Sequence, residues 1–365
     1  MDKEKGIERF VRPELTGFRG YSACKSTDVI ARKLGIPIGR VVKVDANENN
    51  YGPSPKVARA LKEFNGYHVY PDAAQTELRE LLSKYTSMPA EQIVAGAGSD
   101  QLIDLLVKLF AQPGDEIINM VPSFAMYRFY ADLYGATVVE IPRDANFHID
   151  VKAIIKAVTP KSKLIFLANP NNPTGTMTLR EDVLALLETG LPLVVDEAYY
   201  EFTGETALPL MAEYPNLMVL RTFSKWAGLA GLRIGYGVFP RRIADYLHGI
   251  RDPYNVNVAA LTAVRASFQD MDYLMGNVKK IVAERERLYK RFEELKWLKP
   301  YPSKSNFILC DLLEGNAKDV QQTLENRGVL VRYYAEPRLK NCLRFSVGKP
   351  EEDDILLKAL KEIGR

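Results

Sequence analysis

The sequence predicts an α/β fold: a mostly parallel sheet covered by helices, followed by a smaller α+β unit. Three observations lead there. Between Ile93 and Phe239, short runs rich in Val, Ile and Leu alternate with helical periodicity, as strands buried on both faces do. The chain has 365 residues, beyond the roughly 250–300 at which one core stops growing. Past Asp252-Pro253 the rhythm changes to long helices and then short strands.

Taken in order, residues 1–40 read as an arm packed on the smaller unit or on a partner subunit. Within it, T-D-V-I-A-R-K-L is a short helical pattern that Gly35-Ile36-Pro37 ends. The large unit is read as 41–254. Val41–Val44 is a candidate strand, and D-A-N-E-N-N-Y-G-P-S-P is a turn-rich loop. Ser54 would cap the next helix, with Pro55 in its first turn, and a further helix covers about 74–86.

I-V-A-G-A-G-S-D then leads from a strand through a glycine turn into Q-L-I-D-L-L-V-K-L-F, where Leu102, Leu105, Leu106 and Leu109 share one face. D-E-I-I-N-M-V, A-T-V-V-E-I, K-L-I-F-L-A, L-P-L-V-V-D, L-M-V-L-R-T and R-I-G-Y-G-V-F continue the series, with a helix at about 179–188. The smaller unit is read as 255–365. One or two long helices fill 258–296, and F-I-L-C-D-L, V-L-V-R-Y-Y and C-L-R-F-S-V are its strands. Two helices, at about 316–327 and 351–363, complete it.

Composition excludes several classes of function. Lys and Arg total 49 against 46 acidic residues, too even a balance for a nucleic-acid footprint. Cys24, Cys310 and Cys342 are too scattered for a disulfide framework or a zinc site. His68, His148 and His248 show no ligand spacing. The opening residues lack an apolar signal core and no run reaches about 18 apolar residues, so a soluble, cytoplasmic protein is expected.

Four loops that follow strands expose different polar groups, and ligands collect beyond the carboxyl ends of such strands. A-G-A-G-S-D-Q places Ser99 at a helix start, where free N–H groups favour an anion; a simple capped turn has the same letters. N-P-N-N-P-T-G holds Asn171 and Asn172 in a proline-stiffened loop. Asp196 ends an apolar strand, with Tyr199 three residues on. A carboxylate there suits a cationic ring nitrogen, and the phenol suits a ring oxygen. T-F-S-K brings two hydroxyls and Lys225, with Arg233 eight residues later. A lysine among small and apolar residues either lies on the surface between strands or is held as a nucleophile toward a carbonyl. Phosphate cradle, ring-nitrogen partner, ring-oxygen donors and amine together fit pyridoxal phosphate.

These motifs resemble those of fold-type I pyridoxal-phosphate aminotransferases, within them the histidinol-phosphate branch, along nearly the whole chain. The marks are D-A-N-E-N-N-Y-G, G-S-D, N-P-N-N-P-T-G, V-D-E-A-Y-Y-E-F, T-F-S-K-W-A-G-L-A-G-L-R-I-G-Y and C-L-R-F-S-V-G. The resemblance implies a mostly parallel seven-stranded large-domain sheet and an obligate homodimer with composite sites. It implies that Lys225 attaches the cofactor aldehyde, that Asp196 pairs with the ring nitrogen, and that Asn172 and Tyr199 bond the ring oxygen. Phe124 would stack on the ring. Gly98, Ser99, Asp100, Ser224, Arg233 and Thr222 would hold the phosphate, and Tyr51 would reach it from the neighbouring subunit. Arg344 would grip the substrate carboxylate, with Tyr21, Asn47 and Arg332 completing the substrate site.

Departures from the family pattern stand beside these matches: G-Y-S-A-C-K replaces P-Y-x-P-G-K, residues 25–40 form a long segment, and Gln101 stands where glutamate is common. The implied reaction moves an amino group from L-histidinol phosphate to 2-oxoglutarate, giving imidazole-acetol phosphate and L-glutamate in histidine biosynthesis. An aromatic amino acid aminotransferase and a threonine-phosphate decarboxylase share the cofactor motifs. A regulator built on this fold commonly carries an attached DNA-binding segment or loses the lysine; no helix-turn-helix pattern is evident in this sequence, and Lys225 is present.

Overall fold

The computed structural model describes residues 6–12, 15–18, 20 and 24–364; Tyr21 lies outside them. Helix α1 (Thr27–Leu34) ends at Gly35 and is followed by strand β1 (Val42–Val44). Helix α2 (Pro55–Glu63) starts where the sequence places it, with Ser54 Oγ accepting from the Lys56 N–H, and α3 is Thr76–Thr86.

The large sheet is built from β2 (Ile93–Gly96), β3 (Glu116–Val121), β4 (Thr137–Pro142), β5 (Ser162–Ala168), β6 (Leu193–Asp196), β7 (Leu217–Thr222) and β8 (Gly235–Val238). Helices α4 (Ser99–Phe110), α5 (Ala125–Leu133), α6 (Val151–Ala157), α7 (Arg180–Leu187) and α8 (Arg241–Ile250) alternate with them. The order is β2-β8-β7-β6-β5-β3-β4. β8 runs antiparallel to both its neighbours, and the remaining pairs are parallel. Alternation along the central strands divides their side chains between two cores. Ile165, Leu167, Val195 and Val219 enter one, and Leu164, Phe166, Val194 and Leu220 enter the other. Burial on both faces is why these strands read as unbroken apolar runs.

Helices α9 (Val258–Phe268) and α10 (Met271–Glu293) come next. The second sheet follows, with β9 (Leu298–Pro300), β10 (Phe307–Leu312), β11 (Val329–Tyr333) and β12 (Cys342–Ser346), and with helices α11 (Ala317–Asn326) and α12 (Pro350–Ile363).

Two elements near the expected boundaries pack differently from their place in the sequence. The second sheet runs β1-β11-β12-β10-β9, so Val42–Val44 is a strand of the smaller sheet, parallel to β11, rather than the start of the large unit. A three-residue strand gives no periodicity from which its partner could be read. The helices that follow the expected boundary at 254/255 pack on both cores. Ala260, Ala263 and Val264 of α9, with Leu274, Val278 and Ile281 of α10, lie in the large unit's core. Leu288 and Phe292 of the same α10 lie in the smaller core, so one helix serves both. In the arm, Lys25 and Lys33 meet Glu325 of α11 at 3.0 and 2.7 Å, and Phe18 lies edge-on to Phe129 of α5 at 5.3 Å.

Candidate active site

The carboxyl ends of β5, β6 and β7 lie side by side, with Ala168 opposite Asp196 and Asp196 opposite Leu220. They open into a cavity of about 480 Å³ that reaches across to the smaller sheet. Asp196 stands at its floor, 4% exposed. Its Oδ2 accepts from the Tyr127 hydroxyl at 2.7 Å and its Oδ1 from the Ala198 N–H at 3.1 Å. Burial pushes this carboxyl up to about 6, against the pull of those two donors.

Lys225 lines the same cavity, its Nζ donating to the Ala46 carbonyl at 3.2 Å. Burial first, then the charge of Arg344, lowers its ammonium from 10.5 to about 8. The residue after it is pinned: Asn49 Nδ2 donates to the Trp226 carbonyl at 2.9 Å. The lysine is therefore the cavity amine that the sequence admits, not a surface residue between strands.

The anion cradle forms where α4 begins. Gly98 has φ of 82°, a conformation that L side chains avoid. A Cβ there would lie 2.6 Å from Arg233 Nη2, and one on Gly235 would lie 2.4 Å from the Ser99 nitrogen. The glycines thus let the helix start, β8 and the Arg233 guanidinium close together. Thr222 Oγ1 donates to Ser224 Oγ at 3.0 Å, and Arg233 pairs with Asp100 at 2.6 Å. Helix N–H groups, hydroxyls and a guanidinium around one hollow fit a phosphate. With the deep carboxyl and the amine, the residues present fit a phosphorylated pyridine aldehyde, and the ring of Phe124 also lines the cavity.

The opposite wall comes from the smaller unit. Arg332 and Arg344 stand directly opposite each other in the β11/β12 register. Arg344 donates to Asn172 Oδ1 at 2.6 Å and to the Asp45 carbonyl at 2.7 Å. Asn47 Nδ2 donates to the Tyr199 hydroxyl at 2.9 Å, and Ser346 Oγ donates to Asn47 Oδ1 at 3.0 Å. Arg332 Nη1 contacts Cys24 Sγ at 3.4 Å.

Of the expected residues, Asn47, Ser99, Asp100, Phe124, Asn172, Asp196, Tyr199, Thr222, Ser224, Lys225, Arg233, Arg332 and Arg344 line this one cavity. Gly98 adjoins it through the Arg233 contact. Tyr51 does not line it: its ring faces Lys280 and Lys349 at 5.3 and 5.8 Å. Three groups escaped the sequence reading. Tyr127 follows Phe124 by three residues, a spacing that puts both on one side of a helix start. Cys24 comes from the arm. The buried pair of Arg221 and Glu197, 2.8 Å apart, lies under the ends of β6 and β7; the charge adjoining each motif (D-E, R-T) was its only signal.

The class I and II aminotransferase family model matches residues 39–360. The chain belongs to the class I and II aminotransferases. It is 58% identical over 358 residues to a histidinol-phosphate aminotransferase of Dehalococcoides mccartyi, covering 98% of this chain and 99% of the relative. It is 46% identical to that of Roseiflexus castenholzii, with the same shares covered. A crystal structure of histidinol-phosphate aminotransferase from Sinorhizobium meliloti, in complex with pyridoxal-5'-phosphate, superposes with a TM-score of 0.88 at 27% identity. That match covers 99% of either chain, so this aminotransferase shares its fold from end to end.

Proposed function

We propose that this aminotransferase transfers the amino group of L-histidinol phosphate to 2-oxoglutarate with pyridoxal 5'-phosphate as cofactor. The products are imidazole-acetol phosphate and L-glutamate, the transamination step of histidine biosynthesis. One observation supports the substrate reading beyond the relatives' names: Arg332 and Arg344 face each other on adjacent strands at the cavity wall. Two neighbouring guanidiniums concentrate positive charge where an anionic substrate group would enter. Phosphate and carboxylate both accept fork-like guanidinium bonds, so one pocket serves both half-reactions.

When bound, pyridoxal phosphate supplies an aldehyde that captures the amino group and a ring that withdraws electrons from the neighbouring carbon. The protein's part follows from the residues. Lys225, its ammonium already weakened, would be the amine that holds the aldehyde, and in its free form would be the base for the proton on the substrate carbon. Asp196 would hold a proton on the ring nitrogen. Asn172 and Tyr199 would orient the ring oxygen, Phe124 would pack against the ring, and Gly98, Ser99, Asp100, Thr222, Ser224 and Arg233 would seat the phosphate. Arg344 would receive the glutamate carboxylate, and Arg332 with Asn47 would orient the substrate phosphate end; Tyr21, expected in the substrate site, lies outside the described residues.

We also propose a homodimer in which Tyr51 completes the partner's cavity. Tyr67 and Tyr70, 58% and 78% exposed, offer aromatic surface for it. Light scattering on the purified protein would find one copy per particle if this is wrong. None of the described helices is long and apolar enough to cross a membrane, which accords with a cytoplasmic enzyme. The working division follows the two cores, with β1 joining the smaller unit and α9 the larger.

Single-turnover spectra with histidinol phosphate, phenylalanine and threonine phosphate test the substrate. Histidinol phosphate is expected to react fastest. Faster reaction of phenylalanine would overturn the assignment in favour of an aromatic amino acid aminotransferase.

A further inference from the structure

We propose that Tyr127 is a positioning residue that fixes the Asp196 carboxylate, through a hydroxyl held in place by two ring contacts. The inference rests on the assignment of Asp196 to the cofactor's ring nitrogen. Three features of the structure carry it. First, the Tyr127 hydroxyl donates to Asp196 Oδ2 at 2.7 Å, while the Ala198 N–H takes Oδ1 at 3.1 Å. Each carboxylate oxygen thus has one protein donor, so rotation of the group about its last bond breaks both.

Second, the tyrosine has nowhere else to go. It is fully buried, its ring lies flat on Phe166 at 4.6 Å with an interplanar angle of 3°, and it meets Phe124 edge-on at 5.7 Å. Phe166 belongs to β5, next to the strand that ends in Asp196, so the sheet itself sets the height of the hydroxyl. Third, the chemistry has one direction. Burial raises the phenol well above its ordinary range, so it stays a neutral donor beside the carboxylate. A donor favours the ionised form of an acid that burial alone would neutralise. The ionised form is the one able to meet a protonated ring nitrogen.

Two substitutions and a cycle test this. Tyr127→Phe keeps both ring contacts and removes one oxygen atom. It is expected to fold with the melting behaviour of the parent apo-protein and to weaken cofactor binding about ten-fold or more, the range for a hydrogen bond to a charged group. Its kcat should fall while KM for the amine substrate holds. In an Asp196→Asn background the same substitution should change cofactor affinity far less, because the charge it serves is gone.

Unchanged cofactor affinity in Tyr127→Phe would overturn the proposal. So would an equal loss in both backgrounds, or a failure of the variant to fold, each of which would give the hydroxyl a general structural role. If Asp196→Asn itself left cofactor affinity untouched, the assignment of Asp196 would fall first, and the two failures are thereby told apart.

Discussion

The two walls of the cavity are built on different terms. On the cofactor side, Asp196, Thr222, Ser224 and Lys225 hang from or just beyond the ends of adjacent strands whose interiors are wholly buried. On the substrate side, the groups come from the arm (Cys24), the loop before α2 (Asn47) and two strands of the smaller sheet (Arg332, Arg344). One wall is a by-product of sheet regularity; the other is assembled from pieces far apart in sequence. Chemistry shared across a fold is best held by the first kind of wall, and selectivity by the second, where single pieces can change alone.

The sharpest break of that contrast is Lys225→Ala. It is expected to lower turnover about 10²–10⁴-fold and to abolish the borohydride-sensitive absorption of the lysine-bound cofactor, with both substrates affected alike. Next comes Arg221→Met. Arg221 is 2% exposed and Glu197 1%, so removing the guanidinium leaves a buried carboxylate without its ion-pair partner. A loss of about 3–5 kcal/mol is expected, read as a lower denaturant midpoint. The cofactor wall would then prove less rigid than the strand ends suggest if stability were unchanged.

Substitutions on the other wall should divide the substrates. Arg344→Lys loses fork geometry and is expected to raise KM for 2-oxoglutarate about 10–100-fold. Arg332→Lys should raise KM for histidinol phosphate by more than it raises that for glutamate. Equal effects on both substrates from both variants would mean that the wall does not discriminate.

The smallest effect is a pH dependence. The Lys225 ammonium is lowered from 10.5 to about 8, so the free amine in the apo-protein gains population as pH rises through 8. The rate of cofactor capture should climb with a midpoint there. In the unfolded chain the group keeps its proton up to about 10.5. Between those values the unfolded state binds more protons, and this residue makes stability rise with pH.

The same contrast explains what the sequence made legible. The groups of the proposed cofactor wall drew notice in the sequence because each adjoins an apolar run whose end is visible in the letters: V-V-D, R-T-F-S-K, A-G-S-D. Tyr127 did not, since its role depends on the sheet bringing α5 against β6. Cys24 did not, because nothing in the arm predicts which wall it meets. The fold followed its periodicity closely, save where pattern carries no information about partners. A strand as short as β1 has no face to read, and α9 is apolar enough to have joined either core.

Helix α10 belongs to two interiors, and this bears on how the protein is made. A chain ending at 254 would lack Val264, Leu274, Val278 and Ile281, leaving an apolar trench along the large unit. During synthesis, the larger interior stays incomplete until residue 281, and after it Phe307 and Val347, have left the ribosome. By then most of the polypeptide is already outside, so the halves mature together rather than one after the other.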